Sequence, residues 1–341
     1  MAGLIGDRKI RFVVLGLGHI GTRHADMIAA NSGCELVAVI DCDSSLLPKA
    51  AGYTVPFFTS LEEFLLSGTL ADVVCIATPN GLHATQAIRC LDAGFHVVIE
   101  KPMALTTSDC RAILDCANAN NKHVFGVMQN RYSPAMQWLK GLMHEGRLGD
   151  IYMVDVHCYW NRDERYYTGN TWHGTTALDG GTLFTQFSHY VDLLYWLFGD
   201  VDNISARFAN NNHAGMIDFE DSASVSFNFI AGGMGSLSYS TSVWDKNMES
   251  TMVIVAQHGT VKIGGQYMDK LEYCHIKGYE LNESISSPVE QVAGYTGARA
   301  NHHFVIQNVV DVLQGRSEIT TNAREGTKVV DIIERIYALK N

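Results

Sequence analysis

The residues of this chain best suited to chemistry are Glu100, Lys101 and Pro102, which directly follow the apolar stretch 96–99. A lysine at the end of a buried strand can act as an acid or a base. Burial and a neighbouring positive charge disfavour its charged form and bring its proton within reach near neutral pH. The alternative is structural, with Lys101 in an ion pair with Glu100. Residues 100–102 alone do not distinguish these two interpretations, so other motifs of the chain are needed.

A second candidate for proton transfer is His189, at the start of an apolar helical stretch, 189–197. His189, Asp192 and Trp196 are separated by three and four residues, so they are expected on one face of a helix. A single histidine at a helix start is more often structural than catalytic. Gln186, one turn earlier, and Lys101 at an expected sheet edge favour the catalytic interpretation, and we predict Lys101 and His189 as the catalytic residues.

Composition limits the classes of function. The 341 residues are 47% hydrophobic and 18% charged, which suffices for two domains with separate cores. The net charge of -11 argues against a nucleic-acid surface, which needs clustered Lys and Arg. Residues 1–9 lack the apolar core of a signal peptide, and no apolar run approaches the roughly 20 residues of a membrane helix. We therefore expect a cytoplasmic protein that binds neither nucleic acid nor membrane.

The eight cysteines lie mostly within apolar segments and never form a Cys-x-x-Cys pair. This pattern predicts neither a zinc ribbon nor a disulfide framework. The fourteen histidines are scattered, and the adjacent pair 302–303 is not typical of a metal site. No metal is predicted.

A glycine-rich turn near the N-terminus predicts a dinucleotide site. The apolar strand 10–15 is followed by Gly16, Gly18 and Gly21, and a helical pattern then continues over 22–30. In such a turn the first two glycines let the backbone approach a pyrophosphate at the helix N-terminus.

An acidic residue at the next strand end indicates which dinucleotide binds. The second strand, 34–40, ends at Asp41, twenty residues after Gly21. A carboxylate there can accept hydrogen bonds from the ribose hydroxyls. Residues 42–44 contain no Arg or Lys to pair with a ribose phosphate. We therefore predict NAD rather than NADP as the cofactor.

The first third of the chain alternates between strand and helix patterns. Apolar strands are predicted at 72–77, 96–99 and 124–128, with helices between them, and this order is typical of a parallel sheet with right-handed crossovers. The residues that follow these strands lie at the carboxyl edge, where such sheets bind ligands. The predicted NAD contacts are Gly16, Gly18, His19, Ile20, Gly21, Asp41, Thr78, Asn80, His83, Glu100, Lys101 and Gln129.

From residue 151 the hydrophobic period changes to two, which indicates a second domain with an open, largely antiparallel sheet. The alternating strands are predicted at 151–160, 223–230, 235–240, 251–256, 260–263 and 271–276. The chain closes with helices at 302–313 and 323–339. We predict an α/β protein with a nucleotide-binding domain at 1–128. The domain at 129–341 would bind substrate and form oligomers, with its last helix packing back on the first.

Arginines and aromatic residues are interleaved between 131 and 172, which favours an anionic substrate despite the acidic total charge. Paired guanidinium groups are suited to a diphosphate or a carboxylate. The alternative is that the aromatic residues close the interface between the domains. The predicted substrate contacts are Arg131, Tyr132, Arg162, Arg165, Tyr166, Tyr167, Trp172, Gln186 and Asp192.

Three motifs together carry a family resemblance. Gly16-x-Gly18-x-x-Gly21-x-x-His24, Glu100-Lys101-Pro102, and Gly180-Gly181 followed by His189-x-x-Asp192 resemble the glucose-fructose oxidoreductase, inositol dehydrogenase and rhizopine-catabolism family of NAD(P)-dependent enzymes. The segments 129–132, 159–162, 166–167, 172–175 and 179–194 look most like a narrower group. That group is the UDP-N-acetylglucosaminuronate 3-dehydrogenases of bacterial surface-polysaccharide synthesis.

The resemblance implies a Rossmann domain, a mixed α/β substrate domain, and a homodimer or homotetramer formed through open sheets. It also implies hydride transfer from a sugar carbon to nicotinamide, with Lys101 and His189 flanking the substrate hydroxyl. The narrower group suggests C3 of a UDP-N-acetylhexosaminuronate as the reacting centre, and a 2-oxo acid as a second substrate that recycles the cofactor.

One position departs from the broader family. Polyol dehydrogenases of the family carry an Asp four residues before the catalytic histidine, and this chain has Thr185 there. The residue that tunes His189 is therefore left open. Two rival functions also stay open: a dehydrogenase of a free sugar, inositol or other polyol, and a non-catalytic NAD-binding regulator, which would not need Lys101 and His189 together.

Overall fold

The computed structural model describes residues 8–169, 171–281, 285, 290–292, 295–297 and 301–340. The chain forms two compact units. The first contains the described residues up to Met128 together with His302–Val330, and the second contains 129–301 and 331–341. The sequence-based division placed all of 129–341 in one domain, whereas His302–Val330 belong to the first unit. Within the described ranges, no helix has the length and apolar character needed to cross a membrane.

The first unit is built on a six-stranded sheet in the order β3-β2-β1-β4-β5-β6, with every neighbouring pair parallel. Its central strands are buried along their length, as expected of a parallel sheet covered on both faces. This order is that of a doubly wound dinucleotide-binding sheet, so the predicted Rossmann architecture is confirmed. The strands are β1 Ile10–Leu15, β2 Cys34–Ile40, β3 Phe57–Phe58, β4 Val73–Ile76, β5 His96–Ile99 and β6 Val124–Gly126.

The second unit is built on a seven-stranded sheet in the order β13-β12-β11-β7-β10-β9-β8. Neighbouring strands are antiparallel except β7 and β10, so the prediction of a mostly antiparallel sheet is confirmed. A separate pair, β14 and β15, is also antiparallel. The strands are β7 Ile151–Tyr159, β8 Val201–Ala209, β9 Ser222–Phe229, β10 Met234–Ser240, β11 Glu249–Ala256, β12 Gly259–Gly264, β13 Lys270–Ile276, β14 Glu290–Val292 and β15 Tyr295–Gly297.

Helices cover these sheets and supply the residues at their edges. Several start at a side-chain cap: Thr106 accepts from the backbone N–H of Asp109, and Ser133 accepts from that of Met136. The helices are α1 His19–Ala30, α2 Leu47–Ala51, α3 Leu61–Leu66, α4 His83–Asp92, α5 Thr107–Ala119, α6 Pro134–His144, α7 Glu164–Tyr167, α8 Ser188–Phe198, α9 His302–Leu313 and α10 Ala323–Tyr337.

Several of these elements differ from the sequence-based expectation, among them α1 and β8. Helix α1 begins at His19 rather than 22, because the helix starts inside the glycine-rich turn. Strand β8 was not predicted at all. Its inward positions, such as Ile204 and Ala206, are only half-buried, so the strand carries a weak apolar alternation.

The core of the second unit fixes helix α8 on the sheet. The rings of Trp160 and Tyr239 each lie 5.2 Å from that of Phe187. The Tyr190 hydroxyl donates to Ser250 Oγ at 2.7 Å, and Trp160 Nε1 donates to the same oxygen at 2.9 Å. The buried polar atoms of these aromatic residues are therefore satisfied, and α8 is anchored one residue after His189.

Candidate functional site

The glycine-rich turn of the first unit has the shape of a phosphate cradle. Gly16 has φ +92°, and a Cβ there would lie 2.5 Å from the Ala77 carbonyl oxygen. A Cβ on Gly21 would lie 1.6 Å from the Gly16 carbonyl oxygen, whereas one on Gly18 would meet nothing within 4 Å. Gly16 and Gly21 therefore close the turn, and the space in front of Gly18 is open. This open space lies at the N-terminus of α1, where helical N–H groups favour an anion.

The carboxylate of Asp41 is tied to this turn. One oxygen accepts from the backbone N–H of Leu17 at 2.6 Å, and the other accepts from that of Asp43 at 2.9 Å. Asp41 is half-buried directly after β2, at the position of a ribose-binding acid. These residues fit a dinucleotide that has free ribose hydroxyls.

His19 and Ile20 open helix α1 next to the turn. His19 is exposed, and Ile20 is half-buried. Partial burial, followed by the charges of Arg23 and Lys49, lowers the pKa of His19.

The turns after β4 and β5 bring several predicted cofactor residues together. Thr78 Oγ1 donates to Gln86 Oε1 at 2.6 Å, and Asn80 is buried in the following turn. His83 is fully buried, and its two ring nitrogens lie 2.8 Å from the carbonyl oxygens of Thr78 and Pro102. The two turns are thus joined through one side chain.

Glu100 is buried beside the backbone of Lys101. One of its oxygens lies 2.7 Å from His24 Nε2 and 3.4 Å from His302 Nε2. The other accepts from the Lys101 backbone N–H at 3.3 Å. Burial opposes ionisation of Glu100, but the two imidazole rings outweigh it and hold the pKa of this carboxyl well below its usual range.

The same three side chains are of types that ligate metals, and their ligand atoms lie within 4.8 Å of one another. The separation of 2.7 Å between His24 and Glu100 is that of a hydrogen bond. We therefore interpret the cluster as a hydrogen-bonded support for the Glu100–Pro102 turn. Lys101, which this turn carries, is half-buried.

In the second unit, His189 lies in the first turn of α8 and is half-buried. Gln129 Nε2 is 3.4 Å from His189 Nε2. Gln129 was predicted as a cofactor contact, and the structure places it against the candidate catalytic histidine. A π-helical turn, Leu183–Phe187, precedes α8, and such turns often occur at functional sites.

Arg131 and Asp192 form a buried ion pair below this histidine. Their side chains are 3% and 1% exposed. Arg131 Nε donates to both carboxylate oxygens, at 2.9 and 3.2 Å, and Nη2 donates to one of them at 2.5 Å. The guanidinium also lies 5.5 Å from the ring of Trp196. Both residues were predicted as substrate contacts, and the structure pairs them with each other.

Arg162 is held in a second polar network. Its Nε donates to Gln186 Oε1 at 2.8 Å, and Gln186 Nε2 donates to the Tyr166 hydroxyl at 2.7 Å. The guanidinium lies close to two aromatic rings, 5.0 Å from the centre of Trp160 and 5.2 Å from that of Tyr166. Burial raises the pKa of Tyr166, so its hydroxyl stays protonated. The structure therefore brings together three predicted substrate residues, Arg162, Tyr166 and Gln186.

Other predicted substrate residues have different surroundings. The Arg165 side chain is 70% exposed and bonds to Asp163, and Tyr167 is buried against Ile217 and Phe219. Burial raises the pKa of Tyr167 to about 12. Tyr132 is half-buried in the helical turn that also carries Gln129 and Arg131. Trp172 contacts the ring of His173, which in turn stacks on Tyr166 at 4.1 Å.

Asp179 and His213 are supporting residues that were not predicted from the sequence. Asp179 accepts from the Gly174 backbone N–H at 2.7 Å and from the Thr185 hydroxyl. His213 lies 3.0 Å from a carboxylate oxygen of Asp221 and 2.5 Å from the carbonyl oxygen of Arg162. Asp179 was visible as the first residue of the glycine motif that precedes the histidine. His213 had no comparable signal.

Glu220 was missed as well, because its partners come from distant parts of the chain. Its carboxylate accepts from the hydroxyls of Tyr239 and Tyr337, at 2.8 and 2.7 Å, and from Lys340 Nζ. The Tyr337 hydroxyl also accepts from the backbone N–H of Leu183 at 2.8 Å. Glu220 therefore holds the start of the segment that leads to Gln186 and His189.

Comparison with known proteins agrees with this geometry. Residues 10–127 match the family model described as "Oxidoreductase family, NAD-binding Rossmann fold", and residues 136–262 match the GFO/IDH/MocA C-terminal domain. An uncharacterized oxidoreductase of Streptococcus pneumoniae is 28% identical over 211 residues, which span 60% of this chain and 55% of the relative's own length.

Two solved structures are similar over nearly the whole chain. The WlbA dehydrogenase of Chromobacterium violaceum, in complex with NADH and UDP-GlcNAcA, is 33% identical with a TM-score of 0.89, over 99% of this chain and 96% of that one. The WlbA dehydrogenase of Bordetella pertussis, in complex with the same two ligands, is 32% identical with a TM-score of 0.88, over 97% and 96% of the two chains. These matches confirm the resemblance seen in the motifs, and this chain belongs to the GFO/IDH/MocA family of NAD-binding oxidoreductases.

Proposed function

We propose that this protein is an NAD-dependent dehydrogenase that oxidises C3 of a UDP-linked N-acetylhexosaminuronate. The observation that carries the proposal is the Arg162 network in the second unit. A guanidinium that lies close to two aromatic rings and is oriented by Gln186 offers a fixed cation to a carboxylate or a diphosphate. The similarity of this chain to two WlbA dehydrogenases, whose structures contain NADH and UDP-GlcNAcA, supports this substrate class.

In this proposal Lys101 and His189 are the proton-transfer residues. The glycine turn and Asp41 would hold NAD, which would supply the acceptor for a hydride from the substrate carbon. The hydroxyl proton must leave as the hydride does, so one of the two side chains takes the proton while the other stabilises the developing alkoxide. Gln129 lies against His189 and orients its ring.

We assign supporting roles to two predicted binding pairs. The Arg131–Asp192 ion pair is almost fully buried, so its function is to fix helix α8 and the turn that carries Gln129. Glu100 is hydrogen-bonded to His24 and to the backbone N–H of Lys101, so its function is to fix the Lys101 turn rather than to contact NAD.

We also propose that the protein is a homodimer or homotetramer. Apolar side chains on the strands of the second sheet are exposed in the single chain, and contact with another copy would cover them. They are Met153, Met234, Val255 and Tyr273, which the strand register places on one face of the sheet. Light scattering coupled to gel filtration measures the assembly size, and a monomer at micromolar concentration contradicts this part of the proposal.

A substrate panel tests the function directly. Purified protein is incubated with NAD or NADP and with UDP-GlcNAcA, UDP-GlcNAc, free glucose or inositol. The formation of reduced nicotinamide is measured by its absorbance. A 2-oxo acid is added in parallel to reveal recycling of the cofactor. We expect turnover with NAD and the uronate. Efficient oxidation of free glucose or inositol, with no activity on UDP-sugars, would contradict the substrate but not the family.

Arg162→Ala tests the binding cation. We expect KM for the UDP-uronate to rise by about tenfold to a hundredfold, since a charged hydrogen bond contributes about 1.5–3 kcal/mol. The matched control is Arg147→Ala, which removes an exposed arginine of the same unit that is paired with Glu145. Equal KM values for the two variants would remove Arg162 from substrate binding.

A further inference from the structure

His83 has two hydrogen-bond partners of the same kind. It is the first residue of α4 and is fully buried. Its Nδ1 lies 2.8 Å from the carbonyl oxygen of Pro102, and its Nε2 lies 2.8 Å from that of Thr78. A carbonyl oxygen can only accept a hydrogen bond, so each ring nitrogen needs a proton to bond to its partner.

A neutral imidazole cannot satisfy both partners. It carries one N–H and one lone pair, so one nitrogen would turn its lone pair towards a carbonyl oxygen at 2.8 Å. Flipping the ring does not help, because it would replace both nitrogens by carbons and lose both bonds. The doubly protonated ring is the form in which both contacts are hydrogen bonds.

The charges around His83 act in opposite directions. Burial is the largest of these effects and leaves the pKa of the ring below the usual value of a histidine, and the nearby Lys101 adds to this effect. Burial therefore favours the neutral ring, whereas the two carbonyl contacts at 2.8 Å favour the charged one. The two carbonyl groups and the Glu100 carboxylate raise the pKa of the ring. Glu100 is itself buried and ionised, because His24 and His302 hold its pKa low. An anion fixed in the same interior compensates a cationic ring, as buried charges require.

We infer that His83 is a positioning residue for Lys101, acting as a doubly protonated ring that ties the Thr78 turn to the turn of Lys101 and Pro102. The inference rests on the proposed function in one respect, the catalytic role of Lys101. The bridge joins two loops at the carboxyl edge of the sheet, so its loss displaces Lys101 along with Pro102. Loss of one ring proton breaks one of the two bonds and therefore displaces Lys101 to a smaller extent.

Nuclear magnetic resonance of the free protein tests the protonation state. Protein with 15N-labelled histidine rings is examined at pH 7, and the His83 signals are assigned by their absence from His83→Gln. We expect protons on both ring nitrogens of His83. A single ring proton at this pH overturns the inference. This measurement needs no substrate, so its result is independent of whether the proposed function is correct.

Kinetics of His83→Gln test the positioning role. We expect kcat to fall by about tenfold to a hundredfold, as for a small misplacement of a reacting group. The matched control is His123→Gln, which removes a half-buried histidine of the same unit that stacks on His96. A kcat for His83→Gln equal to that of the control overturns the positioning role, even if the ring carries two protons.

Discussion

The buried ion pair of Arg131 and Asp192 gives the sharpest test of how the second unit is built. Removing one partner leaves the other as an uncompensated charge in the interior, which costs about 3–5 kcal/mol. Replacing both by apolar residues of similar volume avoids that charge. We therefore expect Asp192→Leu and Arg131→Met each to be strongly destabilising. The double variant should be far more stable than the sum of the two single effects predicts.

Tryptophan fluorescence can follow this unit alone, because all five tryptophans lie between residues 138 and 244. With a urea dependence of about 3 kcal/mol per M, a loss of about 3–5 kcal/mol lowers the unfolding midpoint by about 1–1.7 M. The control is Arg147→Met, which breaks a surface pair and is expected to cost less than about 1 kcal/mol. Single variants that unfold at the midpoint of this control, or a double variant whose loss equals the sum, would refute the argument.

The remaining predictions concern the cofactor, catalysis and two buried groups. Asp41→Ala should weaken NAD and relax discrimination against NADP in fluorescence titrations; equal affinity of the wild type for both cofactors would contradict the role of Asp41. Lys101→Ala and His189→Ala should each lower kcat by about a hundredfold to ten-thousandfold with NAD binding intact. Near wild-type turnover in either variant would show that the replaced residue has no catalytic role. Glu100→Gln should be less stable than wild type at neutral pH by circular dichroism. Because the pKa of Glu100 is depressed in the fold, this difference should shrink only as pH falls below the unfolded value of about 4.3. Tyr337→Phe should cost about 1–3 kcal/mol in urea, since a buried carboxylate and a backbone N–H each lose a partner, and an unchanged midpoint would exclude this role.

The local motifs could be predicted from the sequence because each depends on residues close together in the chain. The glycine turn before α1 needs residues without a Cβ, because a Cβ at Gly16 or Gly21 would clash with a backbone carbonyl oxygen. The spacing of His189, Asp192 and Trp196 predicted one helix face, and Arg131 contacts both Asp192 and Trp196. Helical periodicity carries this information directly.

The supporting contacts could not be predicted, because they join residues far apart in the sequence. His24 and Glu100 are 76 positions apart, and Tyr337 and Glu220 are 117 apart. No periodic pattern relates such positions. Arg131 and Asp192 illustrate the consequence: their types suggested ligand binding, whereas the fold uses each to neutralise the other.

Both candidate proton-transfer residues have a buried carboxylate close by in their own unit. Glu100 directly precedes Lys101, and Asp192 follows His189 by one helical turn. Each carboxylate is engaged within its unit, by His24 and by Arg131, so its charge fixes a segment of backbone. Truncating either carboxylate should therefore lower both stability and kcat. Truncating Lys101 or His189, which are only half-buried, should lower kcat alone. A stability loss in the Lys101 or His189 variants as large as in the carboxylate variants would show that this division between support and chemistry is wrong.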